Sequence, residues 1–174
     1  MVAVGGGVIG LDLAARYKEQ VNTLVAHEPP LHLLPEAEGR HGSIREIYRR
    51  EGVASAMQKF MSQVGVNYGD LEPGVQLSDQ RNRPVQNTLF LLEHELAMYD
   101  RYQLDFATLS KASNQTRIVI AAGQSGREYL GYRNAAAVAE RLETTVVEFP
   151  SHHAGYITHP KAFAGRLRDV LGEE

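Results

Sequence analysis

Three consecutive glycines, Gly5-Gly6-Gly7, with another at Gly10, lie between a short apolar stretch and an amphipathic one. Few structures tolerate that arrangement. Without a Cβ, such a run turns sharply and lets a neighbouring segment approach closely. Val2 to Val4 read as a very short strand that enters the turn directly. Val8 to Tyr17 read as a helix, with Val8, Ile9, Leu11, Leu13 and Ala14 apolar and Asp12 and Arg16 polar. A strand–glycine–helix opening serves as a phosphate cradle, as a turn that exposes a nucleophile, or as plain close packing.

The remainder of the chain repeats the alternation. Thr23-Leu24-Val25-Ala26-His27 is a compact apolar run of the kind found in buried strands, and Pro29-Pro30 stops it. From about Gly42 to Ser110 the chain is charge-rich and helical in spacing. Ser43–Arg50, Val53–Val64 and Val85–Met98 are predicted helices. Ala56, Phe60 and Val64 share one face, and Leu89, Phe90, Leu92 and Leu96 form another apolar side. Gly65 to Pro84 reads as a loop. Arg117–Ala122 is the clearest strand and ends at Gly123. An alanine-rich helix over Tyr132–Leu142 follows, then a strand over Thr145–Phe149 closed by Pro150. A last helix carries Phe163, Leu167, Val170 and Leu171 as its stripe. This order predicts an α/β protein whose parallel strands are covered by helices. The spatial order expected is the first strand, then those at Thr23, Arg117 and Thr145. About four strands are fewer than the usual sheet of roughly 5–6.

The length of 174 residues suits one domain with a real core. We read 1–174 as a single domain, with 35–112 as a helical, cap-like insertion. The net charge of -3 and the scatter of Lys and Arg argue against nucleic-acid binding. No apolar run approaches the roughly 20 residues of a membrane span, and no signal segment opens the chain. A cytoplasmic location is the default expectation. Cysteine is absent, which excludes disulfides, thiolate metal sites and a cysteine nucleophile.

Larger segments carry a resemblance. Gly6-Gly7-Val8-Ile9-Gly10-Leu11-Asp12-Leu13-Ala14-Ala15-Arg16-Tyr17, then Val21 to Leu31, resembles the segment after the nucleophile in α/β-hydrolase-fold proteins. Phe149-Pro150-Ser151-His152-His153-Ala154-Gly155-Tyr156, with His159-Pro160-x-x-Phe163, is similar to that family's histidine loop and final helix. Leu91 to Leu96 and Arg117 to Arg133 also resemble bacterial members. The resemblance implies a partial α/β-hydrolase fold matching the C-terminal half, with a cap, and an ester- or acyl-hydrolysing activity. In the family several strands, and a loop that supplies part of the oxyanion hole, precede the elbow. An incomplete sheet of this kind is expected to form a homodimer or to dock with a separate N-terminal half.

What the family implies for the site is incomplete in this chain. The elbow pattern Gly-x-Ser-x-Gly puts its serine at Val4 or Gly5, and neither has a hydroxyl. The turn Val4-Gly5-Gly6 keeps the backbone that would face an oxyanion. The acid expected after the Arg117 strand is replaced by Gly123-Gln124-Ser125-Gly126, where Ser125 accepts a hydrogen bond but holds no charge. Glu28 is the other place for the acid, and its plainer reading is a salt-bridged strand-end carboxylate. His153 matches the catalytic base, and its plainer reading is a loop histidine bonded to backbone.

Alternatives stay open. Gly5, Gly7, Gly10 and Glu28 also fit a dinucleotide fingerprint; the flanking segments favour the hydrolase fold. A non-catalytic relative that binds a small ligand or a partner under the cap is a further reading. His152 beside His153, with His159, suggests a metal, but adjacent residues rarely converge on one ion and no carboxylate cluster is nearby in sequence, so no metal and no cofactor are expected. His94, between Glu93 and Glu95, reads as a solvated edge or a cap-pocket residue. Tyr99, Tyr102, Tyr129 and Tyr132 read as ligand donors or as ordinary packing.

Overall fold

The computed structural model describes residues 2–3, 6–77 and 85–172. Four strands form one sheet in the order β1 (Val2–Ala3), β2 (Thr23–His27), β3 (Arg117–Gly123) and β4 (Val147–Phe149). Every neighbouring pair is parallel. Thr23 sits opposite Arg117, His27 opposite Ala121, and Gly123 opposite Phe149. The expected spatial order and sense are those observed.

The period of two sorts the strand residues between two cores. Leu24 and Ala26 of β2, with Ile118, Ile120 and Ala122 of β3, pack into one cluster. That cluster is completed by α1 (Gly7–Arg16), α6 (Phe106–Ala112) and α7 (Leu130–Arg141). Val25, Val119 and Ala121 point the other way, onto Phe149 and onto Phe163 and Val170 of α9 (Pro160–Leu171), which follows the single-turn α8 (Gly155–Thr158). His27, two residues after Val25, falls on this second face.

Local chemistry sets the helix limits. Val8, Leu11, Ala14 and Ala15 form the buried stripe of α1, and Asp12 pairs with Arg16 one turn on at 3.0 Å. Asp105 caps α6 by accepting from the Thr108 amide. Pro160 opens α9, and Gly172, with φ 75°, closes it in the left-handed conformation.

Between β2 and β3 lies a helical segment, the cap. It contains α2 (Arg40–Glu51), α3 (Val53–Gln63), α4 (Val85–Phe90), a π turn over Leu91–Glu95 and α5 (Leu96–Arg101), before α6 returns to the scaffold. Ile44, Ala56, Leu92 and Leu96 make its small core. Of the apolar side expected on a helix over Val85–Met98, Leu92 and Leu96 are buried but Phe90 is not. The π turn inserts one extra residue into the helical ladder, so one helical period does not carry across it. The Tyr102 hydroxyl donates to Asp12 at 2.5 Å and ties the end of α5 to α1. β4 begins two residues later than the predicted strand at Thr145, and α7 begins at Leu130 rather than Tyr132. No described helix is long and apolar enough to cross a membrane.

Candidate active site

The carboxyl ends of β2, β3 and β4 come together on one side of the sheet, where open α/β folds place their ligands. Glu28 follows β2 directly and takes φ 45°, a left-handed value that is uncommon for a non-glycine residue. Ser151 (φ 66°) makes a similar turn two residues after β4. These two turns aim Glu28 and His153 at each other. His153 Nδ1 lies 2.8 Å from Glu28 Oε2, and Oε1 accepts from the Gly123 amide at 2.9 Å. The Glu28 side chain is only 1% exposed, against 21% for His153.

Burial pushes the Glu28 carboxyl up. The His153 hydrogen bond, the charges of His153 and His27, and the Gly123 amide outweigh it, so the pKa lies below the ordinary carboxylate value. Glu28 is therefore an ionised, fully engaged carboxylate. Its partner is the residue that the loop sequence singled out, and the Glu28 side chain lies against α7 only because Gly131 has no side chain. A Cβ at Gly131 would overlap Glu28 Oε2, and one at Gly123 would overlap the His152 backbone. Among described residues His153 Nε2 makes no hydrogen bond, and the ring lines a cavity.

That cavity holds about 690 Å³, within the size range of small-molecule sites. Glu28, Gly131 and His153 form its scaffold wall, and Met57, Phe60 and Leu91 are among the cap residues opposite. The loop over 65–77 braces the histidine loop from the side. The Ala154 amide donates to His152 Nδ1 at 3.2 Å, and His152 Nε2 lies 2.9 Å from the Asn67 carbonyl and 3.3 Å from the Asn67 amide. Glu72 accepts from the Lys161 and Ala162 amides at the start of α9.

The other sequence candidates fall elsewhere. Val4 and Gly5 lie outside the described residues, and Gly6 opens α1. Gly7 packs so closely that a Cβ would stand 3.2 Å from Pro29. With both Glu28 oxygens engaged inward, the ribose-binding role of the dinucleotide reading loses its acceptor. Ser125 is exposed, and its amide donates to the Ser151 carbonyl. The charged partner of His153 is Glu28. His152 and His153 diverge, and His159 bonds Thr158 Oγ1 at 3.1 Å. His94 is exposed beside Glu93. Tyr99 lines the cavity, Tyr102 bonds Asp12, Tyr132 bonds Glu148 at 2.9 Å, and the Tyr129 ring rests on Gly65.

One buried residue had no sequence signal beyond its place in a strand. His27 is 1% exposed and packs against the rings of Phe149, Phe163 and His153. Neither of its ring nitrogens has a hydrogen-bond partner among described residues. Burial pushes its pKa down to about 4, against the pull of Glu28, so the ring is neutral at pH 7.

Comparison with known proteins agrees with this architecture. The chain is 36% identical over 177 residues to "Uncharacterized hydrolase YraK" of Bacillus subtilis (strain 168), an alignment covering 97% of this chain and 61% of that protein. Its structure is similar to that of the enol-lactonase from Burkholderia xenovorans LB400, with a TM-score of 0.50 and 15% identity over 97% of this chain and 63% of the other. No family model matches. The chain spans about three fifths of the length of each relative. The sequence match is to a protein named as a hydrolase, and the structural match is one of fold.

Proposed function

We propose that this chain hydrolyses small, largely apolar esters or related acyl compounds bound in the cavity between scaffold and cap. The observation that carries the proposal is the Glu28–His153 pair, 2.8 Å apart, with a buried carboxylate and the free Nε2 of an imidazole on the cavity wall. In this reading Glu28 fixes the tautomer, because a carboxylate at Nδ1 keeps the proton there and leaves Nε2 as the base. Nε2 takes the proton of a hydroxyl as its oxygen attacks the acyl carbon. The same proton then passes to the departing alkoxide, and Glu28 stabilises the imidazolium between the two steps. Val4 and Gly5 offer no hydroxyl, so the attacking group in this chain is a water that Nε2 activates directly.

A second reading rests on those same two residues. Without a serine at the turn, the cavity binds a small ligand and no turnover follows. Hydrolysis of a p-nitrophenyl ester series separates the two. Turnover in the parent chain that is lost in His153→Ala supports the hydrolase. No turnover in either protein, with thermal stabilisation by the same esters, supports the binding protein.

A further inference from the structure

A second polar cluster, two of whose members line the same cavity as the Glu28–His153 pair, takes no part in the reaction proposed above. His32 belongs to the segment after β2, His41 is the second residue of α2, and Asp100 is near the end of α5. His32 Nδ1 and His41 Nδ1 lie 3.4 and 3.1 Å from one and the same oxygen, Asp100 Oδ1. One nitrogen or oxygen from each residue falls within 4.8 Å of the other two. The side chains are 16%, 11% and 26% exposed, and both histidines line the cavity.

The geometry points to a site for a divalent first-row transition metal, with zinc as its probe, held by His32, His41 and Asp100. A tetrahedral zinc with bonds of about 2.0–2.1 Å sets its ligand atoms roughly 3.3 Å apart, and two edges of this cluster already lie within a few tenths of an ångström of that. Two imidazoles and one carboxylate form a donor set that suits such ions and leaves a position open.

Hydrogen bonding alone leaves the cluster unsatisfied. Among the described residues His41 Nδ1 is buried and makes no well-directed hydrogen bond, although Asp100 Oδ1 is close, because the approach is misdirected for an N–H donor. The two rings lie 4.4 Å apart between centroids, tilted by 47°. Protonating both would set two positive charges face to face, whereas one cation among three inward donors satisfies all of them. The bound ion would join three segments that are distant in sequence, clasping α2 and α5 of the cap to the scaffold.

Zinc titration of the EDTA-stripped chain, followed by calorimetry and by thermal unfolding, tests the site. One zinc per chain and a rise in Tm are expected. Asp100→Asn keeps the shape and removes the charge, and should weaken binding by about tenfold or more, as should His41→Ala. Circular dichroism checks that each variant is folded, and Asp100→Asn serves if His41→Ala is not. His94→Ala, an exposed histidine elsewhere on the cap, should bind as the parent does. The site is overturned if the parent takes up no zinc saturably, or if Asp100→Asn binds it equally well. Loss of binding in His153→Ala with retention in Asp100→Asn also overturns it, because that result moves the ion to the His27, Glu28 and His153 cluster.

Discussion

Sixteen buried residues among those described, all but Tyr99 and Leu104 from the scaffold, form one continuous cluster on a single face of the sheet, and a second cluster fills the opposite face. In the cap only Ile44, Ala56, Leu92 and Leu96 are buried together. Burial of each large apolar side chain contributes about 1.5–3 kcal/mol, so the two regions differ greatly in what holds them. The consequence is a division of labour. Glu28 and His153 hang from strand ends that the larger cores hold fixed. The wall opposite is built from helices with little core of their own, tied down by polar contacts such as Tyr102 to Asp12. Elements of low local stability are the ones that open to admit ligands.

The largest expected effect breaks the scaffold side of this contrast. His153→Ala should lower ester turnover at least about a thousandfold, and Glu28→Gln should approach the same loss with the fold intact, since both act as one unit. Steady-state kinetics with circular dichroism checks it. Equal turnover in Glu28→Gln and the parent would sink the role given to the carboxylate.

Next in size are paired core truncations. Ile120→Ala in β3 should cost about 2–5 kcal/mol in global denaturant unfolding. Leu92→Ala in the cap should cost roughly 2 kcal/mol, and the loss should surface as faster hydrogen exchange confined to α2–α5. Uniform exchange across both regions would erase the distinction between them.

His27 gives a pH signature of the scaffold. The unfolded chain takes up this proton near the ordinary 6.5, the folded chain only near 4. Protonation therefore favours the unfolded state between these values. The stability held above pH 6.5 falls by roughly 3 kcal/mol as pH drops to about 4, by linkage. The lowered pKa of Glu28 adds a loss in the same direction at the acid end. In His27→Leu the decline between pH 6.5 and 4 should flatten, read from denaturant midpoints across that range.

The smallest effect belongs to the cap surface. Arg50 and Glu46 pair at 3.8 Å with side chains 72% and 67% exposed. Arg50→Ala should leave Tm unchanged within error, because exposed pairs are screened and gain little.

Much of this molecule was legible in its residues, for a reason that varies with distance along the chain. The continuous apolar runs Thr23–His27 and Arg117–Gly123 mark strands buried on both faces, and the cores found on the two sides of the sheet follow from that. The Leu91–Glu95 π turn defeated the same logic, since one inserted residue changes the helical period. The histidine loop could be located from its flanking strand and helix. The pairing of His153 could not, because Glu28 stands 125 residues away. Nothing local separates His152 from His153. One meets the Asn67 carbonyl and the other a carboxylate because the left-handed turn at Ser151 points consecutive side chains in different directions.

Taken alone, the order of residues decided that four short segments become parallel strands, that helices cover them, and that a helical stretch interrupts the alternation. Those are matters of local period and of which side chains avoid water. Folding in three dimensions decided that Glu28 rather than Ser125 meets His153, that His27 is sealed among aromatic rings, and that His32, His41 and Asp100 share one small volume. Such meetings depend on strand register, on turns at single residues and on glycines that give way, and these come into being only when remote parts of the chain pack together.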